Sequence, residues 1–147
     1  KKNSEINTIY NEKDALDKLI TDENENPNIE LLAEIILGYL KFTKSGEMIF
    51  DNKFYTLKDW QKILIYLLGR KAILIKKLQE NFNEKISYKD ISAQFGIKES
   101  SITKYASVDL KGIIKSEKGK YFVPNYNLHK CKEKLNQDGK SNNKRPK

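Results

Sequence analysis

The sequence predicts a mostly helical α+β chain carrying small β-hairpins. Apolar residues recur at helical spacing across 29–40 and 60–82, while short β-prone runs flank glycine turns near 46 and 119. Hydrophobic residues make up 38% of 147 positions, enough for one modest core, as one domain or one domain with an extension. Charge divides the chain further. Residues 1–56 hold 7 Lys against 11 Asp or Glu, a net −4, whereas 57–147 hold 21 Lys or Arg against 9 acids, a net +12. The expected organisation is an acidic helical and hairpin extension over 1–56, a basic unit over 57–137, and a disordered basic tail over 138–147.

Residues 1–11 are polar with scattered Ile6, Ile9 and Tyr10, and read as a loose arm. Ala15, Leu16, Leu19 and Ile20 predict a short helix over 12–20, and the acidic, Asn-rich 21–28 with Pro27 predicts a loop. Leu32, Ile35, Ile36 and Tyr39 share one face of a helix expected over 29–40. Lys44-Ser45-Gly46 reads as a turn, with strands expected at 47–49 and 54–55 around Asp51-Asn52. Thr56-Leu57-Lys58-Asp59 fits a helix start in which the Thr hydroxyl caps orphan backbone N–H groups. The helix it opens carries Trp60, Ile63, Leu64, Leu67 and Leu68 almost all the way round, so burial on more than one side is expected. Gly69 is expected to divide it from a second helix over 70–82, with Ile73, Leu74 and Leu78 inward. A lysine-rich helix is expected over 127–135.

The stretch from Ile86 to Val123 carries the most information. Ile91 and Ser92 precede Gly96 by five and four positions, Phe95 and Ile97 flank that glycine, and Ile102 and Tyr105 follow at core-facing spacing. Ser87 and Asp90 supply a cap for the first of two short helices, and Gly96 suits the left-handed backbone of a tight turn between them. Leu110-Lys111-Gly112-Ile113-Ile114 then leads into a hairpin over 114–123 whose turn is Glu117-Lys118-Gly119-Lys120.

In these residues the chain resembles the winged helix-turn-helix superfamily of prokaryotic and archaeal transcription regulators, over about 72–123; Ser92 stands where the family usually has alanine. The resemblance implies a winged helix-turn-helix with an N-terminal helical extension, and a double-stranded DNA partner. A recognition helix would enter the major groove and a lysine-rich wing would lie on the backbone. With Ile102 and Tyr105 inward, Glu99, Ser100, Thr103, Lys104 and Ser107 would face outward, with Lys98 at the helix start. Lys111, Lys115, Lys118 and Lys120 would ride on or beside the wing. Arg70 and Arg145, the only arginines, lie off the recognition helix, so bidentate guanine readout is not expected there. Lysine contacts to phosphate would dominate, about 5–7 of them, with modest base readout from Ser100, Thr103 and Lys104.

These features suggest a transcriptional regulator, its acidic first half and the broad apolar faces of 29–40 and 60–68 serving a homodimer or a protein partner; one intramolecular core is the other use for those faces. An interaction module within a replication, partition or transcription complex is the alternative function, and an RNA-binding wing domain a third. No enzyme, metal or cofactor is expected. His129 and Cys131 lack further Cys or His to complete a zinc set, no phosphate-cradling glycine loop occurs, and the carboxylates show no paired spacing. No apolar run reaches the roughly 18 residues of a membrane span, and no signal peptide is visible. With a single cysteine, a cytoplasmic location and no membrane partner are expected.

Overall fold

A computed structural model describes residues 15–20 and 26–144, the side chains of 138–144 excepted. The arm expected over 1–11 lies outside the described residues, as do residues 12–14 of the first short helix; Ala15–Leu19 forms a 3-10 turn with no buried side chain. Five helices and two antiparallel sheets follow, an α+β architecture.

Helix α1, Ile29–Ile36, begins where Asn28 Oδ1 accepts the Leu31 backbone N–H at 3.0 Å. It ends four residues before the expected Leu40, because Gly38 takes φ +89° and turns the chain into strand β1, Leu40–Phe42. Strand β2, Met48–Phe50, pairs antiparallel with β1 in the register Leu40–Phe50. The hairpin therefore turns at Lys44-Ser45-Gly46, as expected, but uses the strand before that turn. Phe54 and Tyr55, expected as strand, lie in the 3-10 turn Asn52–Thr56. Phe54 is fully buried there, and its ring packs 4.4 Å from Phe50.

Helix α2, Asp59–Lys76, is the centre of the molecule. Trp60, Ile63, Leu64, Ile65, Tyr66, Leu67, Leu68 and Ile73 are all buried on it, so the near-continuous apolar surface is covered on several sides. Its start differs from expectation. The Thr56 hydroxyl donates back to the Lys53 carbonyl at 2.7 Å, while Gln61 Oε1 accepts the Lys58 backbone N–H at 2.8 Å.

Gly69 does not divide this helix. A Cβ there would stand 2.9 Å from Met48 Cε and 3.2 Å from Leu40 Cδ2, so the glycine admits the first hairpin against the helix. Gly69→Ala is expected to be nearly neutral, since Met48 can give way and alanine gains about 1 kcal/mol of helix propensity. Gly69→Val should lose about 1–3 kcal/mol through overpacking; equal urea midpoints for the two variants would refute this packing role.

The helix ends instead at Lys77, in the left-handed conformation at φ +54°, so the second helix expected over 70–82 is only the last part of α2. Ile73 is buried, but Leu74 is 39% exposed because it lies on the side left uncovered. The loop beyond is fixed by side chains. Arg70 Nε donates to the Glu84 carbonyl at 2.9 Å and Nη2 to the Asn83 carbonyl at 2.7 Å, with Phe82 stacked 4.7 Å from the guanidinium. Gln79 Nε2 donates to the Gly46 carbonyl at 2.9 Å, joining this loop to the first hairpin.

Strand β3, Ile86–Ser87, leads into α3, Tyr88–Phe95, and α4, Glu99–Ser107. Strands β4, Lys115–Glu117, and β5, Lys120–Phe122, complete a sheet ordered β3-β5-β4. Strand β3 was not expected from the residue pattern. It pairs Ile86 with Tyr121 and Ser87 with Lys120, placing β5 between two neighbours.

Helix α5, Leu128–Lys144, extends past the expected Leu135 and into the segment expected to be a disordered tail. Nothing in that segment before Pro146 interrupts the backbone ladder of a helix except the tolerable Gly139. Residues 145–147 lie outside the described residues.

One buried cluster joins Leu32 and Ile36 of α1 to Leu64 and Leu68 of α2, and to Ile91, Ile102 and Val123 beyond. The core thus continues across residue 56. The apolar faces of α1 and α2, whose breadth suggested a dimer or partner surface, pack within this chain. Lys132 pairs with Glu34 at 2.8 Å and Lys134 lies 5.2 Å from the Trp60 ring, so α5 closes over α1 and α2.

Candidate nucleic-acid interface

The helix pair is built as its residue order suggested. Ser87 Oγ accepts the Asp90 backbone N–H at 3.2 Å, starting α3, and Gly96 ends it at φ +71°. Ile91, Ile97 and Ile102 are buried, and Tyr105 is half-buried. Phe95 packs edge-on to Tyr66 at 4.9 Å and lies 5.7 Å from Phe54. The turn between α3 and α4 therefore rests on both the central helix and the aromatic groups after the first hairpin. Leu110 and Ile113 are buried, and Gly112 takes φ +80° where the chain leaves α4. Asn127 Nδ2 donates to the Ile113 carbonyl at 2.8 Å, tying the start of α5 to that exit.

With these anchors inward, Glu99, Ser100, Thr103, Lys104 and Ser107 are all exposed on α4. Ser100, Thr103, Lys104 and Ser107 form one stripe by their three- and four-residue spacing. Lys98 is exposed at the N-cap and makes no side-chain cap. The hydroxyls are less available as donors than expected. Thr103 Oγ1 donates to the Ser100 carbonyl at 3.0 Å and Ser107 Oγ to the Lys104 carbonyl at 3.2 Å, leaving acceptor lone pairs for an incoming group.

Lys115, Lys118 and Lys120 are exposed on the second hairpin, and Lys111 is exposed just before it. The hairpin turn places Lys118 at φ +52° and Gly119 at φ +79°, and pairs Glu117 with Lys120 across it. Two positive φ values define a tight turn whose twist suits the flanking strands. Among the described residues, Lys98, Lys104, Lys111, Lys115, Lys118 and Lys120 make no ion pair. Glu117 is paired with Lys85, whose hydrogen bond and charge hold the Glu117 carboxyl below its ordinary range, with Lys115 and Lys118 adding to the effect. The one acid on this hairpin is thereby neutralised.

Sequence reasoning missed two groups of residues. Lys130, exposed on α5, donates to the Gly112 carbonyl at 3.3 Å and adds positive charge beside the α4 exit. Lys71 is buried at 1% exposure, its ammonium donating to Asn125 Oδ1 at 2.7 Å and Glu84 Oε2 at 3.2 Å. The available signal for Lys71 was its place on the stripe Trp60, Leu64, Leu67, where a solvated lysine does not belong.

Cys131 is fully buried, and burial pushes its thiol up to about 12 although Lys71 acts in the opposite sense. His129, two residues away, is exposed, so the two do not form a nucleophile pair. Alkylation of Cys131 by iodoacetamide at pH 8 should be slower in the native protein than in urea by about 10²-fold or more. Equal rates would show that the α5 packing is wrong. Among the described residues no group of three His, Cys, Asp or Glu could hold a metal ion, and no helix is long and apolar enough to cross a membrane.

Comparison of the chain with protein-family models, curated proteins and solved structures gives no significant match.

Proposed function

We propose that this chain is a winged helix-turn-helix protein that binds double-stranded DNA, as a transcriptional regulator. The reading is supported by the order α2–β3–α3–α4–β4–β5 with the sheet arranged β3-β5-β4, and by the short glycine turn between α3 and α4. The observation that carries the DNA assignment is the set of six lysines on α4, its exit and the second hairpin, exposed and without ion pairs among the described residues. An ammonium without a protein partner gains most from a phosphate, releasing condensed counterions as it binds.

In this reading α4 is the recognition helix and lies in the major groove, its first-turn N–H groups toward a phosphate. Thr103 and Ser107 accept from base amines through their free lone pairs, Lys104 reaches phosphate or base, and Glu99 accepts from cytosine. The wing lysines follow the adjacent backbone. Specificity is modest, because no arginine stands on α4 to grip guanine.

Binding to random duplex DNA, titrated across salt concentration by fluorescence anisotropy, should give a log–log slope of about −5 to −6 from about 5–7 phosphate contacts. A slope near zero, or no binding at low salt, would overturn the proposal.

A further inference from the structure

A cleft of about 210 Å³ lies behind the turn between α3 and α4, where that turn meets the start of α2 and the 3-10 turn after the first hairpin. It is smaller than the roughly 300–1,000 Å³ of most ligand sites, so it suits one ring system and no more.

Its walls are aromatic. Phe50 and Phe95 are half-buried and meet edge to face with centroids 5.8 Å apart. Phe54, itself buried, backs them at 4.4 and 5.7 Å. Tyr55 stands edge-on to Phe54 at 5.5 Å and is 60% exposed, an unusual cost for so large a ring. Rings at such distances leave room for a further ring to stack or meet them edge to face.

The remaining lining groups are polar and unmatched. Asp59 and Lys62, half-buried on the first turn of α2, and Gln94, near the end of α3, line the same cleft. Their side chains make no ion pair or hydrogen bond among the described residues. A carboxylate only accepts, an ammonium only donates and an amide does both. The pair of charges sums to zero, so an anion drawn to Lys62 meets Asp59, and a cation drawn to Asp59 meets Lys62. A hydrocarbon ring fills the aromatic part but removes water from Asp59 and Lys62 without replacing it. An uncharged ring with a donor and an acceptor on its edge answers every group.

We propose that this cleft binds a free planar heteroaromatic of the nucleobase class. The ring packs among Phe50, Tyr55 and Phe95, an N–H donates to the Asp59 carboxylate, and a ring nitrogen or carbonyl accepts from Lys62 or Gln94. Because Phe95 and Ile97 flank Gly96 and both line the cleft, a bound ring braces the turn that sets α4 against α3. The site stands independently of the DNA reading; an effect of the ligand on DNA binding rests on that reading.

The test is a ¹H–¹⁵N NMR titration of the full chain with adenine, hypoxanthine, cytosine and uracil at millimolar concentration. Toluene, urea and a four-nucleotide deoxyadenosine strand serve as separate probes. At least one free base should give saturable shifts confined to residues around 50–62 and 94–97. Asp59→Ala and Gln94→Ala, neither in the core, should each weaken that binding about fivefold or more. No saturable shift with any base would overturn the proposal, as would equal affinity for toluene or urea, or unchanged affinity in either variant. Tighter binding of the strand at the same residues would also overturn it, since the base would then be held as part of a nucleic acid. Anisotropy with duplex DNA, with and without the bound base, separates the two readings: unchanged or absent DNA binding would remove the coupling, while the titration alone decides the site.

Discussion

Replacing Lys98, Lys104, Lys118 and Lys120 together with alanine is expected to weaken binding to random duplex DNA about 10²–10³-fold near physiological salt. Each phosphate contact contributes about 0.9 to the log–log salt slope, so the slope should fall in magnitude by about 3–4. Both changes must appear together. The four side chains are exposed and without ion pairs among the described residues, so their loss leaves the core untouched and thermal stability should change little. Lost affinity with an unchanged slope would mean that these lysines do not meet phosphates. An unchanged affinity would remove α4 and the second hairpin from the interface altogether.

The second large effect lies in the core. Lys71→Ala is expected to destabilise the fold by about 3–5 kcal/mol, because it leaves the Glu84 carboxylate without its partner in a largely desolvated place. Lys71 and Glu84 are 2% and 13% exposed at the side chain, and Asn125 receives the same ammonium at 2.7 Å. A buried ion pair is weak proof of net stabilisation, however, since desolvation offsets much of the attraction. The double variant Lys71→Met/Glu84→Met should therefore recover most of the loss, removing both charges and filling similar volume. Urea denaturation of the two variants checks this. If the single change costs under about 1 kcal/mol, the ammonium is not buried as described.

These two effects show what local sequence can reveal. The exposed lysines were legible because each lies near the feature that places it. Gly96, Ile102 and the Lys118-Gly119 turn act within a few residues, through backbone sterics and helical periodicity, and they settle which side chains point outward. Ser87 as a cap was legible for the same reason. Its pairing with Lys120 was not, since a two-residue strand carries no periodic signal and exists only because β5 lies beside it.

The first hairpin and Gly69 belong together. Glycine inside a helix weakens it, and local propensity alone therefore favours a break. Met48 and Leu40 pack close against the backbone at that position, so tertiary packing holds the helix continuous where local propensity would break it. Likewise the breadth of the apolar faces on α1 and α2 was plain, but what covers them was not. Phe50 and Phe95 come from distant parts of the chain and both pack on the Tyr66 ring, with Phe54 packed against the two of them.

Sequence alone determined the helix pair with its glycine turn, the second hairpin and its positive-φ tip, and the basic character of the second half. All of these depend on neighbours along the chain or on composition. The tertiary structure decided that residues on both sides of 56 share one core and that a lysine lies inside it. Lys71 and Asn125 are separated by 54 positions and meet through a 2.7 Å hydrogen bond. No residue-by-residue preference encodes that meeting, because only packing the intervening elements brings the two groups together and removes the water that would otherwise serve them.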